Sequence, residues 1–159
     1  MNKKILITAV IALIIDQLTK TLAELFLKLN VSFKVINKFF YFTLCHNEGA
    51  AFGLFSGSRI FIIVGTVIAL LLLYHFTFCF KKNNRNNIAF GLIYGGLAGN
   101  FLDRIIFGYV IDFLDFYIFK LDYPVFNFAD IAIVIGVILL VYATIRGEEV
   151  SENNSKKSK

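Results

Sequence analysis

Four long apolar stretches organise this chain, and charged residues interrupt three of them. A membrane-spanning helix needs about 20 mostly apolar residues. The first stretch runs from about Lys4 to Leu27 and contains Asp16, Lys20 and Glu24. The second, Ile60 to Phe80, has no formal charge. The third, about Asn87 to Phe107, carries Asp103 and Arg104 near its end, and the fourth, about Phe128 to Ile145, has Asp130 near its start. Composition agrees: 58% of the 159 residues are hydrophobic and 17% are charged, against about 45–50% and about 25% in soluble domains. A soluble core of this size cannot hide so much apolar surface. Disorder is excluded for nearly the whole length, because it needs low hydrophobicity. Two cysteines, Cys45 and Cys79, exclude a disulfide scaffold.

The net charge of +5 fits topology better than nucleic acid, because the positive residues sit mostly at the ends of apolar stretches. No small-x-small cleavage site follows the first stretch, so it is expected to be a retained helix. Four spans put both termini on one side. That side carries Lys3, Lys4, Lys81, Lys82, Arg85, Arg146, Lys156, Lys157 and Lys159, and the other carries Lys28, Lys34, Lys38, Arg59, Arg104 and Lys120. The excess predicts cytoplasmic termini. Residues 1–147 then form one membrane domain, and 148–159 a polar, disordered cytoplasmic tail.

Two segments lie outside. In 28–59, Val31, Phe33 and Val35 alternate with polar residues before Phe39-Phe40-Tyr41-Phe42, which is strand-forming material. Residues 108–127 are too aromatic for a solvated loop and are expected at the membrane surface. The predicted fold is an all-α membrane protein: four transmembrane helices, a small extracytoplasmic β-rich cradle, and a surface segment between helices 3 and 4.

Ionisable residues within spans are costly and point to function. On this topology Asp16, Lys20, Asn100, Asp103, Arg104, Asp112 and Asp130 all collect towards the outer leaflet. Asp16 and Lys20 stand at i, i+4 in the favourable order for an ion pair, either as a self-cancelling structural pair or as a substrate contact. Gly91, Gly95 and Gly99 form a bare stripe ending at Asp103, which suits close helix approach. Asp112 and Asp130 lie 18 residues apart with Pro124 between them, so the chain can fold back and pair them. Paired carboxylates share a proton, and one can activate water while the other acts as acid. Asp115 competes for that role, and Asn127 can hydrogen-bond near Asp130. Asp130 also suits a plain helix cap. The loop Asn47-Glu48-Gly49-Ala50-Ala51-Phe52-Gly53 admits close backbone approach to a ligand, or is a simple turn.

Other chemistries are poorly represented. His46 and His75 fall on opposite sides, so no metal site is expected, and the cysteines are separated in the same way. There is no phosphate loop and no Gly-x-Ser-x-Gly.

With these residues in order, the chain resembles the bacterial lipoprotein signal peptidases, signal peptidase II. The motifs are Asp16-Gln17 with Lys20, Asn47-x-Gly49-Ala50-Ala51-Phe52-Gly53, Gly99-Asn100-x-x-Asp103-Arg104, Val110-x-Asp112-Phe113 and Phe126-Asn127-x-Ala129-Asp130. One small departure is Leu97-Ala98, where Ala before a larger apolar residue is expected. The resemblance implies a four-helix aspartyl endopeptidase without cofactor or metal. It removes the signal peptide of a diacylglyceryl-modified prolipoprotein just before the lipidated cysteine. Asp112 and Asp130 are then the catalytic pair. Asn47, Gly49, Asn100, Arg104 and Asn127 line and order the site, Asp16 and Lys20 support it, and Asp103 is structural. The expected partners are lipid-modified prolipoproteins and membrane phospholipid, not nucleic acid, with the chain a monomer in the bacterial plasma membrane. Leu44 before Cys45 is wrong for a lipobox, so the chain does not read as a substrate.

A small proton-coupled transporter is the alternative, since buried Asp residues also relay protons. It lacks a polar track to the cytoplasmic face other than His75. An assembly protein using the glycine stripe is a further rival, but it leaves the convergence of polar groups unexplained.

Overall fold

The computed structural model describes residues 2–49, 59–118 and 121–150. The chain runs α1 (Lys3–Phe26), β1 (Ser32–Ile36), β2 (Phe40–Asn47), α2 (Arg59–Cys79), α3 (Asn84–Ile106), β3 (Val110–Ile118), β4 (Leu121–Asp122) and α4 (Phe128–Ile145). Helices α1, α2 and α4 are long and apolar enough to cross a membrane. Leu18, Leu25, Ile60, Leu71, Val134 and Ile138 are each at least half exposed on their flanks. Such flanks need an apolar solvent.

Helix α3 is central. It packs against α1 on one side and α4 on the other, and α2 leans mainly on α3. The glycine stripe makes this possible. A Cβ on Gly95 would lie 2.6 Å from the Ala9 carbonyl oxygen of α1, and one on Gly96 would lie 2.5 Å from the Ala129 carbonyl oxygen of α4. Both separations are below van der Waals contact, so the backbones meet only because the side chains are missing. Helix α3 begins three residues before the expected Asn87. Asn83 caps it by accepting from the Asn86 N–H at 2.8 Å, and the polar first turn Asn84-Arg85-Asn86 is invisible to an apolar count.

The two segments expected outside are not separate. Strands β1, β2, β3 and β4 form one antiparallel sheet in that order. The segment between helices 3 and 4 has a regular form that its sequence hid: its first half is β3, hydrogen-bonded along β2 with Phe42 opposite Leu114 and Cys45 opposite Asp112. Apolar residues on both faces of 110–118 hid the period of two. A bulge in β2 between Phe42 and Cys45 bends the strand where the site begins. Ala23, Leu44, Ile111 and Phe113 fasten the sheet to α1. A second cluster, Ile5, Leu73, Phe80, Phe90, Ile93 and Ala143, closes the opposite end of the bundle.

The expected tail boundary at 147/148 falls within packed chain. The Lys81 N–H donates to the Glu148 carbonyl at 2.8 Å and the Val150 N–H to the Cys79 carbonyl at 2.7 Å. Glu148 also pairs with Arg85. These bonds tie 148–150 to the turn between α2 and α3. The rest of the predicted tail, 151–159, lies outside the described residues.

Candidate active site

Asp112 stands on β3, only 2% exposed. Its Oδ2 accepts from Asn47 Nδ2 at 2.9 Å and its Oδ1 from Asn127 Nδ2 at 2.6 Å. Burial pushes the carboxyl up to about 7. The Asn47 and Asn127 amides pull it down, and the neighbouring Asp130 charge adds to the rise. Both donors sit at element ends: Asn47 closes β2, and Asn127 caps the start of α4.

Asp130 lies in the first turn of α4, half-buried. The Asn127 side-chain oxygen accepts from the Asp130 N–H at 3.1 Å, and Asp130 Oδ2 accepts from the Asn127 N–H at 3.1 Å. This is a reciprocal capping box. The plain-cap reading of Asp130 is thus structurally correct, but it uses only one oxygen. Oδ1 accepts from Asn100 Nδ2 at 2.9 Å, and Asn100 Oδ1 accepts from Asn127 Nδ2 at 3.0 Å. One network therefore runs from Asp112 through Asn127 and Asn100 to Asp130.

Beneath it sits a buried ion cluster. Lys20 Nζ lies 2.9 Å from Asp16 and 2.8 Å from Asp103, and donates to Asn100 Oδ1 at 2.9 Å. All three charged side chains are at most 1% exposed. Asp16 and Lys20 are i, i+4 neighbours on α1 as expected, while Asp103 arrives from α3 at the end of the glycine stripe. The two carboxylates also reach outward. Asp16 Oδ1 accepts from the Ala129 N–H at 2.9 Å, and Asp103 Oδ2 accepts from the Ile111 N–H at 3.3 Å. The cluster thereby holds the start of α4 and the start of β3, the two segments that carry Asp130 and Asp112. Gln17 bridges it, donating to Asp103 at 2.9 Å and Asp16 at 3.1 Å.

Asn47 turns its Oδ1 back to the Gly49 N–H at 3.0 Å, fixing the turn that leaves β2. Arg104, half-buried, donates to the Gly49 carbonyl at 3.3 Å and the Asn100 carbonyl at 3.2 Å. Residues 50–53 of the predicted loop lie outside the described residues.

The structure thus brings together Asp112, Asp130, Asn47, Gly49, Asn100, Arg104 and Asn127, with Asp16 and Lys20 below. The competitor Asp115 is elsewhere on the sheet, accepting from the Thr43 hydroxyl at 2.6 Å. Glu24 shares the face of Asp16 and Lys20 but meets His46 at 2.7 Å, and the His46 ring stacks on Tyr109. Sequence reasoning missed that pair. Glu24 stands at i, i+4 from Lys20, and nothing local links it to residue 46. Gln17 belongs to the Asp16-Gln17 motif, but its bridge to Asp103 depends on helix packing. Among the described residues no cluster of His, Cys, Asp and Glu suits a metal ion.

Comparison with known proteins matches residues 8–146 to the family described as signal peptidase (SPase) II. The lipoprotein signal peptidases of Staphylococcus aureus strains JH9 and Newman are each 39% identical over 158 residues, covering 97% of this chain and 92% of theirs. Two solved structures are also similar. One, described as a bacterial membrane enzyme structure by the in meso method at 2.3 Å resolution, has a TM-score of 0.80 at 37% identity, covering 98% of this chain and 92% of that one. The other, obtained by the same method at 1.9 Å, has a TM-score of 0.77 at 39% identity, covering 88% and 91%.

Proposed function

The chain belongs to the signal peptidase II family, a membrane-integral aspartic peptidase that removes signal peptides from prolipoproteins, and we propose that Asp112 and Asp130 are its catalytic pair. The transport reading finds no support in these likenesses. The observation that carries the assignment is the single network joining the two carboxyls through Asn127 and Asn100. A buried Asp112 held near 7 is matched to acid–base work at neutral pH.

In this reading Asp112 is the acid and Asp130 the base. Asp130 takes one proton from water while the water oxygen bonds to the scissile carbonyl carbon. Asp112 gives its proton to the carbonyl oxygen. The tetrahedral adduct then collapses: the C–N bond breaks, the leaving nitrogen takes the proton held by Asp130, and one adduct hydroxyl returns its proton to Asp112 as it becomes the carbonyl of the new acid. Asn47 and Asn127 orient Asp112, and Asn100 orients Asp130. Arg104 holds the Gly49 turn and supplies positive charge beside the adduct.

The substrate class follows from the family. A diacylglyceryl anchor keeps the substrate in the outer leaflet, where the later half of α1, the end of α3 and the start of α4 meet. We read α3 as the fourth span, with both termini cytoplasmic and one chain enclosing one site. Cleavage falls just before the lipidated cysteine.

The test is cleavage of a lipidated, lipobox-containing peptide by purified chain in detergent, with Asp112→Asn and Asp130→Asn beside wild type. Cleavage before the modified cysteine by wild type alone supports the pair. Wild-type rates from either folded variant would remove that Asp from the mechanism.

A further inference from the structure

At the opposite end of the bundle from the carboxyl pair lies a cavity of ≈ 350 Å³. It is built where α2 ends, α3 begins and α1 starts. Lys81 and Lys82 line it from the turn between α2 and α3, and Tyr74, Phe78 and Tyr94 line its flank. No acidic side chain is among its lining residues. The nearby acid Glu148 is already engaged by Arg85, Asn83 and Asn86. Lys81 Nζ donates to the Gly147 carbonyl at 3.2 Å, and among the described residues neither Lys81 nor Lys82 has an ion-pair partner. In the same wall, Asn86 Oδ1 is buried without a hydrogen-bond partner, an acceptor short of a donor.

This is an amphiphilic recess with cations at one end and aromatic rings on a membrane-facing flank. Tyr74 and Phe78 are each 55% exposed there, at the depth where aromatic side chains and lysines meet headgroups. We propose that the cavity binds one anionic phospholipid of the adjoining leaflet. Its phosphate lies at Lys81 and Lys82, a free hydroxyl of a glycerol headgroup donates to Asn86, and one acyl chain runs along Tyr74, Phe78 and Tyr94. Lysine at an anionic surface contributes substantially per residue, and a volume of this size suits a headgroup with the start of a chain. The inference requires only that the helices cross a bilayer. It is independent of which residues catalyse.

The test uses the full chain in nanodiscs of phosphatidylcholine with a minor fraction of phosphatidylglycerol. Native mass spectrometry counts retained phosphatidylglycerol, and peptide cleavage reports folding. Lys81→Gln/Lys82→Gln removes the charges, and Thr77→Phe fills the recess, which Thr77 also lines, without changing charge. Lys156→Gln/Lys157→Gln is the control for general surface attraction. The expected result is one retained lipid in wild type and the control. Retention should be weaker by on the order of ten-fold or more in both cavity variants, with cleavage intact. Equal loss in the tail control, or full retention in Thr77→Phe, would overturn the site. So would binding of free glycerol 3-phosphate as tight as that of the lipid, since the acyl chain would then contribute nothing.

Discussion

Asn127 donates its side-chain N–H to Asp112 at 2.6 Å while the oxygen of the same amide caps the helix that carries Asp130. One side chain thereby performs a stabilising task and an orienting task. The two are separable by substitution. Asn127→Ala removes both, and loss of the cap alone costs about 1 kcal/mol. Asn127→Ser restores a good cap but cannot reach Asp112 with an amide donor. Thermal unfolding in detergent is expected to recover in Asn127→Ser relative to Asn127→Ala, with peptide cleavage remaining low. Equal recovery of both would show that the amide only caps.

The carboxyl pair makes a sharper statement about rate. General acid–base groups contribute about 10²–10⁴-fold. Asp112→Asn and Asp130→Asn are each expected to lower kcat by at least about 100-fold, with peptide affinity little changed. Kinetics on the lipidated peptide measure both quantities.

Titration follows from the raised Asp112 value. A carboxyl near 7 in the fold and near its ordinary 3.8 when unfolded favours folding while protonated. That contribution is complete below the unfolded value and is lost as pH rises through about 7. Cleavage should fall over the same upper range, as the acid loses its proton. Asp130→Asn removes the adjacent negative charge and should bring Asp112 down. Carboxyl-carbon NMR of labelled Asp112 reads the shift directly, and an unmoved titration would mean that the two groups do not interact.

Lys20 is a buried cation between two buried carboxylates. Removing one partner of such a cluster costs about 3–5 kcal/mol, because the remaining charge stays buried and unpaired. Lys20→Met is expected to lose that much stability and to loosen the starts of β3 and α4. Adding Asp16→Asn and Asp103→Asn should recover most of the loss. Denaturation of both variants against wild type decides it.

Gly95 tests the helix contact away from the chemistry. A methyl there meets the Ala9 backbone oxygen at 2.6 Å, and backbone cannot step aside as a side-chain tip can. Gly95→Ala should cost about 1–3 kcal/mol, read as a lower melting temperature. Gly65, whose added Cβ meets nothing within 4 Å, should accept the same change without loss.

Much of this was legible along the chain. Apolar length located the helices, and the fourth stretch, 128–145, coincides with α4. Spacing put Asp16 and Lys20 on one face, and the motifs pointed to each residue of the candidate site. These signals are local, arising from helical periodicity and from what a bilayer excludes. The polar start of α3, the Gln17 bridge and the Glu24–His46 pair were not legible, because each depends on partners distant in sequence.

The sequence by itself determined that the chain needs a membrane, where its helices run, and which polar residues are too costly to be idle. Only the tertiary structure decided that β1 and β2 form one sheet with β3, and that Asn127 and Asn100 link Asp112 to Asp130. It also decided that Lys20 answers to a second carboxylate from α3. The reason is physical. Strand pairing and buried charge compensation are long-range terms, set by which backbones approach, and here the bare faces of Gly95 and Gly96 permit that approach.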